Sequence, residues 1–218
     1  MSRIVLYDYS RSSAAYRLRI ALNLKQVDYE QRPIDLREGE QKSDEYKSLN
    51  PQGLVPMLEI DGHRITQSMA IIGYLDQKFP NQPLVPAAAE IRAHVIAMSL
   101  TVVADIHPLN NLRVLKYLKG ELGRSQDEVD RWYAHWILEG MPALEALAKP
   151  QAGAFLFGDA PTVADVCLIP QLYNARRFNV PIGDWPTLLR AEENANKLEA
   201  FAGAHPDRQP VPGPIDPR

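Results

Sequence analysis

The sequence predicts an α/β domain of modest size followed by an all-α domain, and three observations lead there. Strand-like and helix-like apolar patterns alternate over the first third of the chain. After Pro80, Pro83 and Pro86 every strong pattern has helical spacing. The chain has 218 residues, 45% hydrophobic and 23% charged, which excludes disorder as its overall state and leaves room for one large or two small domains.

Ile4 to Tyr7 is a short apolar run suited to a buried strand. A turn-forming stretch, Ser10 to Ser13, leads into AAYRLRIALNLKQ. There Leu18, Leu22 and the stem of Lys25 fall at helical spacing, Ile20 and Leu24 widen the apolar face, and Arg17 and Arg19 are expected to reach water. Val27 to Ile34 reads as a second strand and Gln41 to Leu49 as a polar helix. NPQGLVP is a loop, because Asn50-Pro51 and Gly53 resist regular structure. Asp61-Gly62 between Met57 to Ile60 and His63 to Thr66 signals a hairpin. Ser68 is placed to cap a helix with the stripe Ile71, Ile72, Leu75 and Phe79.

The prolines at 80, 83 and 86 mark a linker. Beyond it, Ile91, Val95, Met98, Val102 and Ile106 line one face of a long helix, which Pro108 should kink or end. Asn111 to Leu118 resumes helical spacing. Ser125 to Leu147 (with Val129, Trp132, Trp136 and Leu144), Thr162 to Phe178 and Pro186 to Phe201 are further helices. The stretch HPDRQPVPGPIDPR has five prolines and few apolar groups, so disorder is expected there. The expected organisation is 1–82, 87–205 and a Pro-rich tail, 206–218.

A formal charge of -3 excludes a general grip on nucleic acid, which needs a basic excess. One cysteine suits a reducing compartment. The segment MSRIVLYDYSR has no signal-peptide core, and Val95 to Ala104, the longest nearly uncharged stretch, falls short of the roughly 20 residues that span a bilayer. A cytoplasmic protein is expected. No metal motif, P-loop or dinucleotide fingerprint is present in the sequence.

Thr162 to Asp165 is a capping box and reads as a helix start rather than a catalytic acid; Cys167, at an apolar position, reads as core. Ser10 to Ser13 lies between a strand and a helix, where helix amides favour an anion. Each serine suits a cap or a ligand contact, and Ser13 could cap while Ser12 faces a ligand. Gln67-Ser68 repeats this arrangement at the next helix start and suits a carboxylate. A cis proline at Val55-Pro56 would offer the Val55 amide and carbonyl to a peptide-shaped ligand. Arg11, Arg113 and Arg176, each taken alone, read as solvated surface charges, and His107 and His63 as structural or surface histidines.

Together these features resemble a glutathione transferase, whose fold is a thioredoxin-like N-terminal domain plus an all-α C-terminal domain. RSSAAYRLRIAL, NPQGLVP and DIHPLNNLRVLKYL are similar to the zeta class, the class of maleylacetoacetate and maleylpyruvate isomerases; the likeness spans about residues 4 to 203. It implies glutathione as cofactor, with Ser12 at its sulfur, Val55 (beside Pro56) pairing with its cysteinyl backbone, Gln67 and Ser68 at its γ-glutamyl carboxylate, and Gln52, His107 and Asn111 nearby. It places Arg11, Arg113 and Arg176 at the substrate carboxylates, with Ser12, Arg11 and Arg176 as the catalytic group. Many zeta enzymes have a cysteine where this chain has Ala14, and isomerisation is expected to survive that change because the thiol of glutathione is the nucleophile.

The resemblance therefore implies cis–trans isomerisation of a maleyl diketo acid, maleylacetoacetate of tyrosine breakdown or maleylpyruvate of gentisate breakdown. Glutathione transfer to, or dehalogenation of, small α-halo acids is a second reading, and a non-catalytic binding module on the same scaffold a third. A homodimer is expected from the family, with no nucleic-acid or membrane partner.

Overall fold

The computed structural model describes residues 3–210. By internal contacts the chain divides in two, one unit taking residues 1–84 together with those from 196 onward, the other residues 85–195.

The first unit is built on a four-stranded mixed sheet. Its strands β1 (Val5–Asp8), β2 (Glu30–Pro33), β3 (Met57–Ile60) and β4 (His63–Thr66) lie in the order β2-β1-β3-β4. β1 runs parallel to β2 and antiparallel to β3, so Val5 sits between Glu30 and Glu59. Every residue of β1 is buried, as its apolar run requires of a central strand. Asp61 and Gly62 both adopt positive φ, 51° and 78°, the conformation that tight hairpin turns need. β2 is shorter than the expected 27–34 and largely exposed, and Pro33, which has no amide to donate, suits such an edge.

Helix α1 (Ser13–Leu24) departs from expectation. Arg17 and Arg19, expected at water, are 1% and 0% exposed. The reason is tertiary: α1 packs against α3 (Ser68–Lys78) and α9 (Glu199–Ala202), and each guanidinium meets acceptors there. Lys25 follows the same rule. Its Nζ pairs with Asp76 at 2.6 Å and donates to the carbonyls of Phe79, Asn81 and Gln82, tying down the turn after α3. The expected helix 41–49 is instead a 3-10 turn, Glu40–Lys42, and α2 (Asp44–Leu49), because the Ser43 side chain caps the second piece by accepting from the Tyr46 amide. Ser68 is not a cap but the first residue of α3; Gln67 precedes it.

The expected helix 186–201 also breaks. α8 (Pro186–Asn196) ends and α9 follows, its residues grouping with the first unit rather than with the helical domain expected over 87–205. Residues 206–210, expected to be disordered, are held: Pro206–Arg208 forms a 3-10 turn with Pro206 buried, and Gln209 donates to the carbonyls of Gly203 and His205. The rest of that expectation, 211–218, lies outside the described residues.

The second unit is helical, with α4 (Ala89–Leu100), α5 (Leu112–Gly120), α6 (Gln126–Ala148), α7 (Val163–Arg177) and α8. Of the expected stripe, Val95, Met98, Val102 and Ile106 are buried and Ile91 is exposed; Thr101–Ile106 winds as a π-helix, with the His107 amide reaching back to Val102. Gly140 of α6 makes room for it, since a Cβ there would lie 2.5 Å from the Ile106 side chain. The buried stripe of α6 is Val129, Tyr133, Ile137, Met141 and Leu144; Trp132 and Trp136 are half-buried. Glu145 crosses from α6 to accept from the Thr187 and Leu188 amides, capping α8. Among the described residues no helix is long and apolar enough to cross a membrane.

The Thr162–Asp165 capping box forms, and Asp165 accepts in addition from the Leu156 amide at 2.9 Å. Burial pushes its carboxyl up from 3.8 to about 6, against the three hydrogen bonds that favour the anion. The folded chain therefore binds this proton where the unfolded chain has released it. The stabilising contribution is complete below pH 3.8 and is lost as pH rises through about 6. Against wild type, Asp165→Asn should remove a pH-dependent stability difference on the order of 3 kcal/mol across that window, read from urea midpoints at a series of pH values.

Candidate active site

The turn between β1 and α1 is shaped by backbone bonds first. The Ser12 amide donates to the Tyr9 carbonyl at 2.8 Å, and Ser12, extended at φ -73°, is the N-cap of α1. Its Oγ accepts from the Ala15 amide at 3.2 Å. Of the division expected for the two serines, the capping half changes: Ser12 rather than Ser13 caps, and Ser13 is the buried first residue of the helix. Capping uses a lone pair of Ser12, not its proton, so the half-buried hydroxyl can still donate to an anion. No acidic side chain lies in the first turn of α1 to offset the positive helix end. Arg11 flanks the same turn, half-buried.

The loop before β3 is held from below. The Val55-Pro56 bond is cis, and the Val55 side chain packs on the cluster of Val5, Tyr7, Tyr46 and Met57. The carbonyl of Leu54 accepts from the Tyr46 hydroxyl at 2.8 Å and from Asn50 Nδ2 at 2.7 Å, while Asn50 Oδ1 accepts from the Gln52 amide. Burial pushes the Tyr46 phenol up to about 12, which keeps it a donor. Gly53 sits at φ 57°, and a Cβ there would be 2.7 Å from the Gln41 carbonyl oxygen, so no other residue fits.

Gln67 adopts φ 69°, a costly conformation for a residue with a side chain, at the position leading into α3. Its Nε2 donates to Gln52 Oε1 at 3.1 Å, so two sequence-predicted residues meet. Beside them, Ser68 Oγ accepts from the buried Arg17 Nη1 at 2.8 Å, which orients the hydroxyl and sets a cation behind a helix N-terminus. A carboxylate is the ligand such a place favours.

The second unit carries the other predicted residues on separate elements. His107 ends the π-helix, and Asn111 caps α5 by accepting from the Arg113 amide at 3.1 Å. The segment joining them is gripped from α6: Trp132 Nε1 donates to the Leu109 carbonyl and Asn110 Nδ2 to that of Tyr133. Arg113 is exposed. Arg176, on α7, is not the solvated charge a lone arginine suggests. Its Nη1 and Nη2 pair with the two oxygens of Glu192 at 2.5 Å each, an end-on contact that leaves the Nε edge of the fork for another acceptor. Its side chain is 49% exposed, whereas that of Glu192 is 11% exposed.

Arg17, Tyr46, Asn50 and Glu192 are residues that sequence reasoning missed. Only Asn50 left a local trace, as an Asn-Pro turn; the others act through partners 8 to 51 positions away in the chain. Among the described residues no group of His, Cys, Asp or Glu could hold a metal.

Comparison with known proteins agrees with this fold. The model of the glutathione S-transferase N-terminal domain matches residues 2–77 and that of the C-terminal domain residues 126–201. The chain is 47% identical over 213 residues to a probable maleylacetoacetate isomerase of Vibrio cholerae, covering 96% of this chain and 99% of that protein. A holo structure of maleyl pyruvate isomerase, described as a bacterial zeta-class glutathione S-transferase, superposes with a TM-score of 0.93 at 42% identity, over 94% of this chain and 98% of that one. A maleylacetoacetate isomerase of Anaeromyxobacter dehalogenans, solved with dicarboxyethyl glutathione and citrate bound, gives 0.87 at 40% identity, over 99% and 96%.

The Leu54 carbonyl provides a direct check on how the loop is held. Asn50→Ala removes one of its donors and leaves the Gln52 amide without its acceptor, which should cost about 1–3 kcal/mol in chemical denaturation.

Proposed function

Because this chain belongs to the glutathione S-transferase family, in its zeta class, we propose that it is a glutathione-dependent isomerase that converts a maleyl diketo acid to its fumaryl isomer. The observation that carries the reading is Ser12: a cap that spends only a lone pair, at a positive helix end, with its proton left to hold a sulfur anion.

The residues present fit glutathione. Val55, next to cis-Pro56, suits the cysteinyl backbone, and the Gln67–Gln52 pair with Ser68 over Arg17 suits the γ-glutamyl carboxylate. The family likeness adds His107 and Asn111. Bound glutathione supplies a thiol that, once ionised, adds reversibly to the activated cis double bond and so permits rotation. The part of this chain is to keep that sulfur ionised through the Ser12 hydroxyl and the α1 amides, and to hold the substrate's carboxylates and developing enolate with Arg11, Arg113 and Arg176. Arg176 is suited to this because Glu192 fixes the plane of its fork.

Maleylacetoacetate is the substrate we favour. Maleylpyruvate is the second reading, supported by the likeness to a maleyl pyruvate isomerase and by three arginines that suit either dianion. The dicarboxyethyl glutathione in the Anaeromyxobacter relative, a glutathione carrying a diacid unit, favours addition chemistry on both readings. Two domain roles follow: most of the glutathione residues belong to the first unit, with His107 and Asn111 from the second, and two of the three substrate arginines belong to the second unit, with Arg11 from the first. A cytoplasmic homodimer acting in tyrosine breakdown is proposed on the family likeness alone.

Ultraviolet spectra of maleylpyruvate and of a maleylacetoacetate analogue, followed with enzyme and with or without glutathione, test the reaction. Isomerisation only with glutathione, and without its consumption, is expected; glutathione consumed with halide released from α-halo acids, and no isomerisation, would sink the proposal. Ser12→Ala should raise the pKa of the bound thiol and lower kcat by about two orders of magnitude, with a loss of about 1 kcal/mol from the missing cap. Arg176→Ala should raise KM for the diacid, spare glutathione affinity and lower Tm by stranding Glu192. Equal loss of both affinities would count against the role given to Arg176.

A further inference from the structure

A buried polar assembly lies behind the Ser12 turn. Arg19 is fully buried, and its guanidinium reaches three separate places. Nη1 donates to both oxygens of Asp8 at 2.8 and 2.9 Å, Nη2 to the carbonyl of Ser10 at 2.9 Å, and Nε to the carbonyl of Ala204 at 2.9 Å. The carbonyls on either side of Ala204, those of Gly203 and His205, accept from Gln209 Nε2. Gln209 Oε1 in turn accepts from Gln31 Nε2 at 2.9 Å, and the same Gln31 nitrogen donates to Asp8 Oδ2 at 2.9 Å. Through the backbone of 203–205 the contacts close into a circuit: Arg19, the 203–205 carbonyls, Gln209, Gln31, Asp8 and back to Arg19.

Resting on the reading of Ser12 as the group that holds the sulfur, we propose that this circuit is a positioning device for the Ser12 turn. Arg19 is its positioning residue, and the segment 203–209 is part of the glutathione site's machinery although it lies nearly two hundred residues away in sequence. The Ser10 carbonyl is the outlet. It is gripped by a guanidinium that Asp8 and Ala204 hold from two other sides, and Ser12 follows two residues later in a turn closed by its own bond to Tyr9. A hydroxyl misplaced by a fraction of an ångström would lose much of its hold on a sulfur anion, because donors stabilise charge only where they are already aimed. The charges within the assembly are balanced: Asp8 faces Arg19, and the Tyr29 phenol beside them is held neutral by burial, its pKa raised to about 12.

Arg19→Lys keeps a cation for Asp8 but cannot grip all three sites; Gln209→Ala loosens the far side of the circuit without touching a buried charge. The experiment measures the thiolate absorbance of bound glutathione against pH, amide exchange over residues 9–16 in the ligand-free protein, and the unfolding midpoint. Arg19→Lys should raise the bound-thiol pKa by about one unit, a roughly tenfold loss of thiolate below that pKa, and speed exchange across 9–16. Gln209→Ala should move both the same way by about twofold to threefold. A bound-thiol pKa unmoved in a folded variant, while wild type depresses it, overturns the proposal. Should Arg19→Lys fail to fold, Gln209→Ala decides alone. A wild-type protein that does not depress the thiol pKa would instead remove Ser12 from its proposed role, and exchange over 9–16, measured without glutathione, would then settle the positioning claim by itself.

Discussion

The buried pair of Asp8 and Arg19 is the interaction that ties the end of β1 and the Ser10 carbonyl to the segment after α9. Two charges this far from water are tolerable only when nearly every polar atom is matched, and here they are, by Ser10, Gln31 and Ala204. Such a pair adds little net stability over an apolar replacement, but breaking it by removing one partner typically costs about 3–5 kcal/mol. What it contributes is definition. A strand end, a turn and a carbonyl near the far end of the chain each have one arrangement that satisfies the guanidinium.

The same logic recurs at lower charge. Arg17 lies behind Ser68, Lys25 gathers three carbonyls and Asp76, and Glu145 and Asp165 each hold backbone amides at helix starts. Except at Arg17, whose partner is the Ser68 hydroxyl, a long or charged side chain satisfies backbone groups that helix ends and loops leave without partners. The polar groups of the interior are thus fixed to the chain segments that carry the candidate site, so the apolar core and the site share one set of supports.

The two units contribute different chemistry. The first presents backbone and hydroxyl groups suited to a peptide with a carboxylate and a thiol: Val55, Gln67, Ser68 and Ser12. The second presents cations on helices, of which Arg176 is already aligned by Glu192 while Arg113 is exposed. A fork held end-on by one carboxylate is a rigid donor to a second along its remaining edge, which is a sharper recognition element than a mobile surface arginine.

Local pattern was enough for much of this. The β-α-β and β-β-α order, the Asp61-Gly62 hairpin, the buried stripe of α4 and the box at Thr162 and Asp165 follow from periodicity and turn chemistry, which act over a few residues. So did the resemblance carried by the stretches around Ser12, Val55 and Asn111, since family motifs are local. What sequence could not determine was every contact between distant residues. Arg17 and Arg19 look like solvent-facing charges until α3 and α9 close over α1; the proline-rich 206–210 looks unstructured until Gln209 and Arg19 engage the carbonyls before it; Arg176 looks free until α8 brings Glu192 to it. The reason is physical. Whether a charged side chain prefers water or the interior depends on acceptors that only tertiary folding brings within reach, and nothing in its own neighbourhood of sequence encodes their arrival.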